Sequence, residues 1–170
     1  PTQLKAGETG KFANVVYNAK NTMTENGSVK RGVCFPAKDG YMDKLIESTI
    51  EFEGDHIKAT PLDESLDSFT IPYDAPVSMN MFIFTIEILE ELQKRFPIFL
   101  DKELKKNPLK CEFLIPSVVD ELKKEGKAGI KMLKTSAVWY GFTYKEDKVL
   151  VVDALKKMVD SGQYKKGLWK

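Results

Sequence analysis

The sequence predicts an α+β domain, a mixed and partly antiparallel sheet with helices on its faces. Three observations predict it. Short apolar segments rich in β-branched residues, separated by Asn-Gly, Asp-Gly and Gly-Asp turns, occupy residues 11–60. Segments with helical periodicity dominate the second half. Strands and helices do not alternate regularly and no internal repeat occurs, so part of the sheet is antiparallel.

Each element has its own signal. Residues 1–10 are polar and aperiodic, a loose lead-in. Residues 12–17 (FANVVY) read as a strand, and residues 18–27 as a turn region closing on Asn26-Gly27. Residues 28–35 read as a strand with Gly32 inside it, residues 42–52 as an extended segment, and residues 57–60 as its partner across Gly54-Asp55. Residues 61–76 are acidic and punctuated by proline, a surface loop. Residues 77–84 (VSMNMFIF) read as a buried strand, after which Thr85 caps a helix that stops near Phe96, ahead of Pro97. A second short helix is expected over 98–106 and a third from Pro116 to Glu125, ending at Gly126. Strands are expected over 129–135 and 138–143. The last helix covers 148–161, with Val149, Val152, Leu155, Met158 and Val159 inward. Tyr164, Leu168 and Trp169 are expected to pack back onto the domain.

Composition bounds the function. A chain of 170 residues with 42% hydrophobic content suffices for one domain, 1–170. Its 26 basic and 25 acidic side chains leave a formal charge of +1, no electrostatic footprint for nucleic acid. No run approaches the length of a membrane helix. Cys34 and Cys111 are read as reduced thiols of a cytoplasmic protein. One histidine and no paired cysteines exclude a Cys/His zinc site, and His56 reads as an exposed loop residue. The chain opens at Pro1 without methionine, which points to a preceding segment.

Four features carry candidate chemistry. Gly32 is either a β-bulge or a place where a ligand lies against the backbone. Asn80 interrupts an apolar strand and needs partners from the fold or from a ligand hydroxyl. Glu112 is placed to cap the next helix or to bind a sugar hydroxyl. Residues 139–147 (WYGFTYKED) are an aromatic cluster ending in charges, suited to a core or to a carbohydrate face.

Five blocks add a resemblance. NTMTENGSVKRGVC (21–34), VSMNM (77–81), CEFLIPSVVDEL (111–122), WYGFTYKED (139–147) and GQYKKGLW (162–169) are similar to segments of bacterial sugar-phosphate nucleotidyltransferases, the NDP-sugar pyrophosphorylases. The blocks keep the family's order and span nearly the whole chain. The resemblance implies the C-terminal, sugar-phosphate-binding part of a Rossmann-like nucleotidyltransferase fold. The intact enzymes transfer a nucleotidyl group from an NTP to a sugar 1-phosphate with Mg²⁺ and release pyrophosphate.

By the same resemblance, Gly32 matches the glycine whose backbone lies against the sugar, and Glu47 the glutamate that accepts from sugar hydroxyls. Asn80 matches an asparagine flooring the sugar pocket. Glu112 matches the glutamate opening the late helix, and Trp139 a tryptophan beside the metal site. Ser48 stands where many relatives carry a phosphate-holding lysine, and Gly141 where they carry a metal-binding aspartate, for which Asp147 is the substitute. The glycine-rich nucleotide loop, its basic residues and the first metal aspartate would lie before Pro1. The chain alone is therefore expected to be inactive. Its alternatives are a non-catalytic sugar-phosphate-binding or regulatory module and an assembly module in a homo-oligomer.

Overall fold

The computed structural model describes residues 11–167. They form a mixed α/β structure with one seven-stranded sheet and three α-helices. The strands are β1 (Lys11–Asn18), β2 (Val29–Pro36), β3 (Met42–Glu53), β4 (His56–Pro61), β5 (Phe69–Ile71), β6 (Pro76–Ile83) and β7 (Gly129–Thr135). Their order is β5-β4-β3-β2-β6-β1-β7, and only β1 and β7 run parallel. Tight turns account for the antiparallel part. A short 3₁₀ turn with Asp39 and Gly40 at positive φ (66° and 74°) joins β2 to β3, and Gly54 (φ 64°) joins β3 to β4. The parallel pair needs a long connection, and α1 (Glu87–Glu103) and α2 (Ile115–Lys124) lie in the crossover from β6 to β7.

Two hydrophobic clusters hold the sheet. Phe12, Cys34, Met42, Ile130 and Met132 pack with Ile88 of α1 and Val118, Val119 and Leu122 of α2. The second cluster unites Val29, Val33, Ile50, Ile57, Ala59, Ile71 and Val77 and contains no α-helical residue. The α-helical residues of the two clusters all belong to the first, while the buried Val151 of the last helix (Asp147–Asp160) lines a cavity with Val29 of the second.

Helix ends follow local chemistry. Pro116 sits in the first turn of α2, and Gly126 ends it at φ 71°. The Gly126 amide donates to the Lys123 carbonyl at 2.9 Å and the Lys127 amide to that of Leu122 at 2.9 Å, a Schellman closure. Gly126→Ala is expected to cost about 1 kcal/mol, because a Cβ is strained at that φ although the space around it is open. A urea titration measures it, and an unchanged midpoint would refute this account.

Several expectations are corrected. The 61–76 loop contains a strand, β5, which supplies Ile71 to the core. α1 runs through Pro97 as one helix and begins at Glu87, and Thr85 makes no side-chain cap bond. Pro97 and Gln93, whose carbonyl loses its donor, both lie on the exposed side of the helix, where a missing backbone bond costs least. Stacking of Phe96, Phe99 and Phe113 carries the helix past the break, with ring centroids 5.1–6.5 Å apart. Residues 138–143 form no strand.

α3 (Asp147–Asp160) is rotated away from its expected face. Asp147 and Val151 are buried and Ala154 and Met158 half-buried, whereas Val149 is 67% exposed and Val152 and Leu155 are exposed too. Val159, like Met158, is half-buried as expected. Tyr164 does not pack back, being 47% exposed. Leu168, Trp169 and the 1–10 lead-in lie outside the described residues. Among those residues no helix is long and apolar enough to cross a membrane.

Candidate functional site

The centre of the sheet carries a polar row on its helix-covered side. Gly32 of β2 lies opposite Glu47 of β3 on one flank and opposite Ser78 of β6 on the other. Side chains directly opposite share a face, and Cys34, two residues from Gly32, belongs to the helix-side cluster. Gly32 is in regular register with both neighbours, so the expected bulge is absent there. The glycine is explained by crowding: a Cβ would come within 3.0–3.1 Å of three Leu45 side-chain atoms.

Glu47 is half-buried, and burial pushes its carboxyl above the ordinary glutamate range. Its carboxylate has no hydrogen-bond or ion partner among the described residues. Its negative charge adds to the burial that pushes the neighbouring Cys34 thiol up to about 12, so Cys34 is an inert thiol. Both cysteines are free.

Asn80 is not the buried amide that an apolar strand suggested. The bulge lies here instead: Asn14 pairs with Phe82 and Val16 with Ser78, so two steps along β1 span four along β6. Asn80 takes the left-handed conformation (φ 58°), which asparagine tolerates better than most residues, and is exposed. Its amide donates to Ser78 Oγ at 3.1 Å. The Ser78 hydroxyl also accepts from the Asn14 side chain at 3.0 Å.

Asp147 has a different task from the one expected. Its Oδ1 accepts from Thr24 Oγ1 at 2.7 Å and Asn26 Nδ2 at 2.8 Å, and its Oδ2 from the backbone amides of Thr143 and Tyr144 at 3.0 and 2.8 Å. Four donors fill the acceptor sites of a carboxylate. They hold its carboxyl down at about 2, the Tyr144 amide contributing most. Asp147 is therefore a clamp between the 24–27 turn and the start of α3, and its oxygens are not available to a cation. Tyr144 completes the clamp by donating to the Ser28 carbonyl at 2.7 Å while its ring fills the space over Gly27. Among the described residues no group of three His, Cys, Asp or Glu side chains is placed to hold a metal ion. The residues present do not fit a magnesium site.

The remaining candidates lie apart from the row. Trp139 stacks on the Arg31 guanidinium at 4.9 Å. Alternation along β2 puts Arg31 on the face opposite Gly32. A side chain at Gly141 would run into the Trp139 ring, so the aspartate expected there has no room. Trp139, Tyr140 and Asp147 line an open cavity of about 610 Å³ between the 22–26 turn and α3. Glu112 is exposed on a second cavity of about 390 Å³, beside Phe99 and Arg95. The backbone amides of Ser117 and Val118 bond the Leu114 carbonyl, and no side chain caps α2. Ser48 is buried and donates to the Ile46 carbonyl at 3.2 Å, so it offers nothing to a phosphate. His56 starts β4 rather than sitting in a loop, and its hydrogen bonds to Asp55 and Glu53 raise its pKa.

The structure thus brings Gly32, Glu47 and Asn80 onto three adjacent strands and leaves Glu112, Trp139 and Asp147 elsewhere. Asn14, Ser78 and Arg31 did not figure among the sequence candidates. The signal that singled out Asn80, an amide inside an apolar run, is equally present at Asn14 in FANVVY. No protein-family model matches the chain, and no curated protein is significantly similar to it.

Proposed function

We propose that this chain is the sugar-phosphate-binding part of a sugar-1-phosphate nucleotidyltransferase, an enzyme that joins the nucleotidyl group of an NTP to a sugar 1-phosphate and releases pyrophosphate. The observation that carries the reading is the row Glu47–Gly32–Ser78 with Asn80 two residues beyond. Three residues matched to the sugar side by resemblance, far apart in sequence, sit on neighbouring strands. Gly32 presents bare backbone, against which a sugar ring lies once Leu45 turns aside. Glu47 is a half-buried acceptor lacking a donor, and a sugar hydroxyl supplies one. Positioning of this kind is most of what phosphoryl-type transfer asks of a protein. The nucleotide and its metal belong to elements other than these residues.

A pyrophosphate-release assay of the full-length gene product, with NTPs against a panel of sugar 1-phosphates, is expected to show turnover with at least one pair. No turnover with any pair removes the reading. Gly32→Val is expected to lower the affinity of the chain for the accepted sugar phosphate at least tenfold in calorimetry. Overpacking against Leu45 adds a stability cost of about 1–3 kcal/mol. Undiminished binding by the folded variant would show that the ring does not lie on Gly32.

A second reading is a non-catalytic sugar-phosphate-binding module located in the cytoplasm, and the saturation of Asp147 favours it. Under that reading the chain binds sugar phosphates while the full-length product releases no pyrophosphate.

A further inference from the structure

Arg31 is buried, at 8% exposure, and among the described residues it has no carboxylate partner. Its guanidinium carries five N–H groups. Nε donates to Thr22 Oγ1 at 3.1 Å, one terminal nitrogen to the Lys30 carbonyl at 2.7 Å, and the other to the Thr22 carbonyl. All three acceptors are neutral, and one N–H on each terminal nitrogen is left without an acceptor among the described residues. Trp139 stacks on the guanidinium, and its own amide donates to the Asn21 carbonyl at 2.9 Å, so the ring is held from behind. Burial lowers the pKa of Arg31 to about 10, which leaves it charged at neutral pH. A buried charge is ordinarily matched by an opposite one.

The surroundings of Arg31 suit an anion. With Ser28, Val29, Lys30, Thr49 and Thr143 it lines an open cavity of about 430 Å³, and none of these residues is acidic. The fold opens the cavity at a strand edge: β6 pairs with β2 only at Gly32 and Val33, so residues 29–31 have no strand beside them on that side. Alternation puts Lys30 and Arg31 on opposite faces of β2, and the open edge lets both reach one cavity. Lys30 is exposed and adds a second positive charge. The hydroxyls of Ser28, Thr49 and Thr143 make no hydrogen bond among the described residues. Thr143 is seated there by the Asp147 clamp, which takes its backbone amide. A guanidinium fork, an ammonium and three hydroxyls are more donors than the two oxygens of a carboxylate use, and they match the oxygens of a phosphate group.

We infer that Arg31 and Lys30, with the hydroxyls of Ser28, Thr49 and Thr143, form a binding site for a phosphate group. Neither Gly32 nor Glu47 lines this cavity, so the site stands independently of the sugar-phosphate reading above.

The test titrates the ¹⁵N-labelled 170-residue chain with inorganic phosphate, against sodium chloride at matched ionic strength. Saturable shifts are expected for the Arg31 Nε–H signal and for the backbone amides of residues 28–31 and 143, with a midpoint in the millimolar range or below. Arg31→Lys keeps the charge but loses the fork, and is expected to raise the midpoint at least tenfold. Lys30 and Thr143 are exposed, so Lys30→Gln with Thr143→Val is the variant that decides if Arg31→Lys does not fold, with a rise of about threefold or more. A hexose 1-phosphate that moves the same signals at a lower midpoint assigns the site to a phosphate ester. An equal or higher midpoint assigns it to free phosphate. Shifts no larger than those with chloride overturn the inference, and so does a midpoint unchanged in the folded variants. Arg31 is then a tie between β2 and Thr22 and nothing more.

Discussion

Asp147→Ala is expected to detach the start of α3 from the 24–27 turn and to lower the thermal midpoint more than any exposed carboxylate-to-alanine change, Asp153→Ala being the control. The reason is local. The carboxylate is the only acceptor for two side-chain donors and two backbone amides at the first turn of the helix, and alanine leaves all four to find water. Tyr144 then loses the backbone anchor that sets its hydroxyl on Ser28. Asp147→Asn keeps the shape but brings N–H groups to face donors.

The pH dependence gives an independent check. The carboxyl sits at about 2 in the folded protein, below the ordinary aspartate value of 3.8. A depressed acid contributes stability above the unfolded value and loses it as the pH falls through the folded one. The stability gap between wild type and Asp147→Asn is therefore expected to be full above about pH 4 and to narrow as pH falls towards 2. Circular dichroism melts across pH 2–6 measure it, and parallel curves throughout would show that Asp147 carries no linked proton.

Ile50→Ala is expected to destabilise the chain by about 3–4 kcal/mol, a large part of the stability of a domain this size. Ile50 is fully buried at the centre of the helix-free cluster, paired with Val29 on one strand and Ala59 on the next. The residues named with it in that cluster all sit on strands held in register by their ladders, which relax little around a cavity. Val149→Ala on the exposed side of α3 is the contrast, expected within about 0.5 kcal/mol. Urea unfolding of both measures the difference, and an Ile50→Ala cost below about 1 kcal/mol would mean that this cluster is not a packed core.

The strands joined by glycine turns were legible because their signals are local. Asn26-Gly27, Asp39-Gly40 and Gly54 each force the chain to reverse, and alternation fixes the faces between them. α2 was legible for the same reason, with proline in its first turn and glycine after its last. The elements misread were those decided from outside. β5 is three residues in an acidic loop, a strand only because β4 offers it a free edge. α1 passes Pro97 because the break falls on its exposed side and Phe96, Phe99 and Phe113 pack together around it.

The candidate site divides in the same way. Gly32, Glu47 and Asn80 were named from sequence and resemblance, but a string of residues does not say which of them meet. Pairing of β3, β2 and β6 decided that, joining positions 15 to 48 residues apart by hydrogen bonds along the ladder.

By itself the sequence determined the α+β class, most turns and the resemblance on which the functional reading rests, since each is written in neighbouring residues. Only the tertiary structure decided which face of α3 is buried, that the Asp147 carboxylate is filled by four donors, and that the Asn14 side chain donates to Ser78. Burial, hydrogen-bond saturation and cross-strand neighbours are properties of packed surfaces, which form only when distant segments meet.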